Sequence, residues 1–245
     1  MCLIVFAWQM LPRTPLFAVA NRDEFYARRT VAAAAWDDCP NVYGGRDLDG
    51  GGTWMGIAQG PGGQSRFAAI TNFRAKQKQM ADAPSRGALV ADYLKSEKTA
   101  AEYIAAIAPN ADRYNGFNLI LGDQHTLIWY SNRAGSDPRN GQPLAPGIYG
   151  LSNALLDTPW PKLIKTKAQF SSLLCQGAPD AAYFEMLADT SRARDVRLPD
   201  TGVALELERM LSAVCIESPN YGTRSSTLVK LHAEAPSELK ELILR

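Results

Sequence analysis

The apolar run Cys2-Leu-Ile-Val-Phe-Ala-Trp8 constrains the fold more than any other segment. Both of its alternating faces are apolar, the pattern of a β-strand covered on both sides. A chain that opens this way opens in its own interior. Leu11-Pro-Arg-Thr-Pro15 makes a turn, and Leu16-Phe-Ala-Val-Ala20 reads as the second strand of a hairpin. That strand is expected to end in the charged cluster Asn21-Arg-Asp-Glu24, which a short connection returns toward the start of the first strand.

Residues 42 to 60 hold seven of the 19 glycines, around Gly44-Gly45 and Gly50-Gly-Gly52, ahead of a predicted strand Thr53–Ile57. Such density implies tight turns or close backbone approach. Phe67–Thr71 is another strand and runs into Asn72-Phe-Arg74. Ser85–Lys95 carries Leu89, Val90, Tyr93 and Leu94 on one helical face, and Thr99-x-x-Glu102 is a capping box that opens a second helix. Phe117–Leu121 and Thr126–Tyr130 form a hairpin around Gly122-Asp-Gln-His125, and the strand Gly147–Leu151 runs into Ser152-Asn153. Pro161–Leu174, Asp180–Leu187 and Val203–Leu211 read as helices, with Pro161 suited to a first turn. Ser226–His232 and Leu239–Leu244 complete a last hairpin. Hairpins rather than βαβ units join these groups, so an α+β fold of largely antiparallel sheets layered with helices is expected. No linker, repeat or low-complexity tract divides residues 1–245, and one domain is the simpler expectation.

Composition narrows the partners. Lys and Arg (26) nearly cancel Asp and Glu (25), for a net charge of +1, so nothing electrostatic points to nucleic acid or an acidic membrane. The first apolar run falls far short of the roughly 20 residues that a membrane-spanning helix needs, and it leaves no room for a signal peptide. Cys2, Cys39, Cys175 and Cys215 are far apart and form no CxxC pair, which suggests neither a disulfide framework nor a structural zinc site. A cytoplasmic protein without a transmembrane segment is expected. GxSxG, HExxH and GxxxxGK[ST] are missing from the sequence, and His125 and His232 lack neighbours at metal-ligand spacing. Asp47-Leu-Asp-Gly50 is too short for a calcium loop and is read as a turn.

Cys2 follows the initiator Met1 directly, so removal of Met1 leaves a free α-amine on the residue that carries the thiol. Such an amine, with a pKa of about 7.7–8.0, can act as general base for its own side chain. Otherwise Cys2 is a small hydrophobe in a buried strand. Arg22 is a candidate to lower the thiol pKa and Asp23 to accept a hydrogen bond from the ammonium or thiol; the alternative is a solvated surface loop. Asn72 and Asn153 each follow an apolar strand and either aim an amide at a developing oxyanion or cap a turn. Arg224, in Tyr221-Gly-Thr-Arg-Ser-Ser-Thr227, stands at the entrance to a strand and offers a cation to an anionic substrate group, or is an ordinary surface arginine.

These segments recur together and in order. Met1-Cys-Leu-Ile4, Asn21-Arg-Asp-Glu24, Gly44-Gly-Arg-Asp47, Gly51-Gly-Thr-Trp-Met-Gly56, Asn72-Phe-Arg74, Asn115-Gly-Phe-Asn118, Gly150-Leu-Ser-Asn153, Leu156-Asp-Thr-Pro-Trp-Pro-Lys162 and Tyr221–Thr227 resemble the NRDE family, also called the transport and Golgi organisation protein 2 family. The resemblance extends to the N-terminal-nucleophile (Ntn) hydrolases. It implies a four-layer αββα sandwich of two mainly antiparallel sheets flanked by helices. It also implies, by motif position, the roles of the bile-salt hydrolase and penicillin V acylase branch for Cys2, Arg22, Asp23, Asn72, Asn153 and Arg224. That branch separates its Arg and Asp, whereas Arg22 and Asp23 are adjacent, and neighbouring strand residues point to opposite faces. Both reach Cys2 only if the strand has ended by then, and Glu24 is the rival to Asp23.

Two activities follow from the resemblance. One is hydrolysis of a small acyl amide through processed Cys2, with no cofactor required. The other is a non-catalytic carrier that uses the same pocket for haem, as in haem trafficking, or for acyl-CoA or another lipid, with Cys2 or a histidine as a haem-iron ligand. An interaction scaffold is a third, weaker reading.

Overall fold

The structure is a computed structural model that describes residues 2–60, 64–74 and 79–245, and of Cys2 the backbone alone. At its centre lies the hairpin of β1 (Cys2–Leu11) and β2 (Thr14–Phe25), paired antiparallel with Cys2 opposite Arg22 and Leu11 opposite Thr14. β9 (Gly147–Leu151) pairs with the free side of β1. β10 (Tyr221–Leu231) and β11 (Glu238–Ile243) continue outward from β2, giving the order β11-β10-β2-β1-β9. The second sheet has β3 (Thr30–Trp36), β4 (Cys39–Asp47), β5 (Met55–Gln59), β6 (Ser65–Asn72), β7 (Phe117–Asp123) and β8 (Leu127–Ser131) side by side in chain order. Neighbouring strands are antiparallel throughout both sheets.

The two apolar faces of β1 explain the layers. Ile4, Phe6 and Trp8 join Leu16 and Ala18 of β2 in a core shared with Ile57, Phe67, Ile120 and Trp129 of the second sheet. Leu3, Val5 and Ala7 point the other way, with Phe17 and Val19, onto Leu163 and Phe170 of α3 (Pro161–Gln176) and Tyr183 of α4 (Asp180–Leu187). α1 (Arg86–Lys95) and α2 (Ala100–Ile107) cover the outer face of the second sheet through Leu89, Val90, Leu94 and Ile104. The order is therefore helices, sheet, sheet, helices, the α+β layering expected. Each large side chain removed from water in this core contributes about 1.5–3 kcal/mol. Trp8 also satisfies its indole N–H on the Leu144 carbonyl at 3.1 Å. Thr99 and Glu102 form the expected capping box of α2. Pro161 takes the first turn of α3, and Gly177 closes that helix in the left-handed conformation.

Three expectations need correction. β2 does not end at Ala20 but runs through the Asn21–Glu24 cluster to Phe25, because β10 pairs with it along that whole length. β3 and β4 were not expected as strands, and β4 passes straight through Gly44 and Gly45. Those glycines serve close approach: a Cβ on Gly44 would lie 2.7 Å from the Met55 carbonyl oxygen. α5 (Leu205–Leu211) starts two residues later than predicted. No helix among the described residues is long and apolar enough to cross a membrane.

Gly51 and Gly52 separate two causes of a glycine requirement. Both have positive φ, +72° and +77°, but a Cβ on Gly51 would meet open space, while one on Gly52 would lie 2.3 Å from the Gly87 backbone in α1. Gly51→Ala should cost about 1–2 kcal/mol of backbone strain, and Gly52→Ala about 3 kcal/mol or more once overpacking is added. Urea denaturation of the two variants checks this; equal losses would remove the Gly87 contact as the reason for Gly52.

Candidate functional site

The site is built around a buried cation. Arg22, 5% exposed, lies on β2 at a position of the same parity as Leu16 and Ala18, facing the second sheet. Its guanidinium sits over the Trp54 ring, 4.2 Å from the centroid, and its Nη2 lies 3.8 Å from Asp47 Oδ2. Asp47 Oδ2 also accepts a 2.7 Å hydrogen bond from Arg28 Nε, while Oδ1 accepts from the backbone N–H groups of Asp49 and Gly50. Asp47 is thus the turn residue expected and, through its second oxygen, an anchor for two arginines. Gly45 explains the position of Trp54, since a Cβ there would fall 2.2 Å from the indole. The Trp54 carbonyl is fixed by the Ile70 N–H at 2.9 Å. The Gly44–Asp47 and Gly51–Gly56 motifs therefore converge on Arg22.

Asp23 faces the other way. It is 1% exposed, accepts a 2.7 Å hydrogen bond from Thr223 Oγ1, and feels the charge of Lys162 on α3. Burial pushes its carboxyl above the usual range, and Lys162 and the Thr223 bond oppose that rise. Because β2 continues, Arg22 and Asp23 occupy opposite faces. Glu24 returns to the Arg22 side, its carboxylate 4.0 Å from Arg28 Nε. Asn21 ties the central sheet to the chain around it. Its Nδ2 donates to the carbonyls of Leu187 at 2.8 Å and Val214 at 2.9 Å, and its Oδ1 accepts from Ser226 Oγ at 2.6 Å.

Asn72 and Asn153 do come together. Asn72 ends β6 at the rim of the site. Asn153 is fully buried two residues beyond β9, and one of its amide N–H groups donates to the Asn72 carbonyl at 2.9 Å. The Asn153 carbonyl in turn accepts from the Arg74 N–H at 2.7 Å. Arg224 stands inside β10 rather than at its entrance. It is the extra residue of a β-bulge between Thr223, opposite Asp23, and Ser225, opposite Arg22. Its Nη1 donates to the carbonyls of Phe25 and Arg28, clamping the chain that leaves β2.

Beside Arg22 opens a cleft of about 360 Å³, lined by Glu24, Arg28, Asp47, Trp54, Asn72 and Arg86 among others. Arginines and carboxylates both line it, so it presents both signs of charge. Arg22, Trp54 and Arg224 also line a smaller cleft of about 240 Å³. Trp54, Asp47, Thr223 and Lys162 are the site neighbours that sequence reasoning missed. The recurrence of glycine pairs ahead of Asp47 and Trp54 is the signal that could have found two of them. Backbone register sets Cys2 opposite Arg22; Met1 and the Cys2 thiol lie outside the described residues.

A family profile described as Transport and Golgi organisation 2 matches residues 1–244. The human Transport and Golgi organization protein 2 homolog is 34% identical over 96% of this chain and 90% of its own length. Its Bos taurus counterpart is 36% identical with the same coverage, and the Drosophila melanogaster Transport and Golgi organization protein 2 is 28% identical over 96% of this chain and 89% of its own. Among solved structures, a mutant conjugated bile acid hydrolase from Clostridium perfringens aligns over 100% of this chain and 92% of its own, with a TM-score of 0.42 and 8% identity.

Asn21→Ala removes the partner of two carbonyls and one hydroxyl between the central sheet and the helix layer. It should destabilise the protein by about 3 kcal/mol, the cost of leaving buried polar groups unmatched. Chemical denaturation measures it, and a loss below about 1 kcal/mol, the net worth of one ordinary hydrogen bond, would deny Asn21 this role.

Proposed function

The chain belongs to the Transport and Golgi organisation 2 family, and on that footing we propose that it is an N-terminal-cysteine amidohydrolase acting on a small polar acyl amide through Cys2, freed by removal of Met1. The observation that carries this reading is the register of the central hairpin, which sets Cys2 opposite Arg22. In the proposed site the Arg22 guanidinium favours the thiolate across the ladder. Asp23, one residue farther along β2, is the carboxylate that would accept a hydrogen bond from the α-amine of a processed chain. A backbone amine can be approached from either side of a sheet. Arg22 and Asp23 therefore need not share a face: one serves the thiol and the other the amine. This removes the difficulty raised by their adjacency and favours Asp23 over Glu24.

The α-amine takes the thiol proton and the sulfur attacks the substrate carbonyl, forming a C–S bond as the carbonyl pair moves onto oxygen. The Asn72 amide and the second N–H of the Asn153 amide donate to that oxyanion. Collapse breaks the C–N bond, the α-ammonium protonates the departing amine, and water, deprotonated by the α-amine, hydrolyses the thioester. Arg224 holds the strand end that carries Arg22 and Asp23. No step in this scheme calls for a cofactor. The mixed-charge lining of the cleft supports a small polar substrate over haem or an acyl-CoA or lipid chain, whose pockets are mostly apolar. We place the activity in the cytoplasm, in keeping with free Cys39, Cys175 and Cys215.

Intact mass should show the chain lacking Met1, and an acyl electrophile should label Cys2 and not Cys2→Ser; a retained Met1 overturns the amine-base scheme. Saturable haemin binding with a shifted Soret band, together with no labelling of Cys2, would favour the carrier. Asp23 accepts the ammonium hydrogen bond only when ionised, and burial raises its pKa. Beside the fall set by protonation of the α-amine, activity should therefore show a second acid limb above the ordinary aspartate range, and Asp23→Asn should lower kcat/KM and abolish that second limb alone. A limb unchanged in Asp23→Asn assigns it to another group.

A further inference from the structure

A cleft of about 510 Å³ opens between the first turn of α3 and the segment 191–197. Five cationic side chains line it, Lys162, Lys165, Arg192, Arg194 and Arg197, and no acidic residue does. In a chain whose net charge, these five included, is only +1, that is a strong local excess. Its persistence has a structural cause. The one carboxylate within the segment, Asp195, is turned onto Arg209 of α5 through two hydrogen bonds of 2.8 and 2.5 Å. Lys165 is tied to Asp189 and donates to Ser191 Oγ at 2.9 Å. Among the described residues, Arg192, Arg194 and Arg197 enter no ion pair, and all three are exposed. The segment carrying them is nonetheless pinned, by the Ala193 N–H to Ser212 Oγ at 2.9 Å and by the turn that closes Arg197 N–H onto the Arg194 carbonyl at 2.9 Å.

From this geometry we infer a second binding site, for a small organic molecule carrying two or more phosphate groups. Three arginine forks on one short segment opposite two lysines suit several anionic oxygens at once, because guanidinium engages phosphate through paired, charge-assisted hydrogen bonds. Ile164, Ala193 and Val214 supply an apolar floor for the rest of the molecule. The volume lies within the about 300–1,000 Å³ of small-molecule sites. The shape is a concavity with no aromatic side chain among its lining residues, unlike the extended basic stripe and stacking platforms that nucleic acids use.

Calorimetric titration of the full-length protein with ADP and with inorganic pyrophosphate tests the inference. Saturable one-to-one binding is expected, roughly ten-fold or more weaker in Arg192→Ala/Arg194→Ala/Arg197→Ala. Arg13→Ala/Lys98→Ala/Arg113→Ala, which removes equal charge from exposed positions elsewhere, should bind as the parent does. The single variant Arg194→Glu, at an exposed position, should weaken binding in the same sense if the triple variant does not fold. No saturable binding of either probe at millimolar concentration overturns the site, as does equal weakening by both triple variants. A single-stranded oligonucleotide that binds more tightly per phosphate than ADP overturns it in favour of a nucleic-acid surface.

Discussion

A guanidinium buried between two sheets is the constraint that the surroundings of the cleft are built to meet. Taking an ion out of water costs several kcal/mol unless partners are supplied, and Arg22 has its partners from separate stretches of chain. The Trp54 face contributes about 2 kcal/mol when desolvated, and the Asp47 carboxylate supplies the opposite charge. Each partner has its own requirement. Trp54 can lie where it does because Gly45 has no side chain, and Asp47 is aimed by a turn whose N–H groups fix its other oxygen. The glycine-rich motifs, unremarkable one at a time, are the supports of one charge.

Features fixed by local physics were legible in the sequence. The two apolar faces of β1 announced a covered strand and therefore layers on both sides, and the Thr99–Glu102 box and Pro161 marked helix starts where they occur. What escaped was set by distant partners. Asn21, Arg22 and Asp23 read as loop residues because polar groups are costly inside a sheet. The acceptors and donors of Asn21 and Asp23, namely Leu187, Val214, Thr223 and Ser226, lie more than 160 residues away in sequence. The same holds for Arg224, whose bulge is a property of the register between β10 and β2 and has no signature in its neighbours. β3 was hidden for a different reason: as an edge strand with Ala32, Ala34 and Ala35 exposed, it lacks the alternation of buried and exposed positions that marks an interior strand.

Of the candidate residues, Arg22 and Asn72 line one cleft, and buried Asn153 is joined to Asn72 through the Asn72 carbonyl. The adjacency of Arg22 and Asp23 looked like a departure because strand alternation separates them. Alternation separates side chains, however, and a chain terminus is not a side chain. In the proposed scheme the α-amine of a processed Cys2 is itself a reacting group, so Arg22 and Asp23, neighbours on the partner strand, serve the thiol and the amine separately.

The two proposed sites have one charged neighbour in common. Lys162 lines the basic cleft at the start of α3, and its charge bears on Asp23 on the helix-facing side of β2. Burial raises the Asp23 pKa and Lys162 restrains that rise. An anion seated beside Lys162 would offset the restraint, so Asp23 would hold its proton to higher pH and accept a hydrogen bond from the α-amine less readily. Low dielectric in the layer between them makes such coupling stronger than the same charges would exert through water. Under the two proposals, the buried lysine of the Leu156–Lys162 motif would be the charge through which occupancy of the outer cleft reaches Asp23.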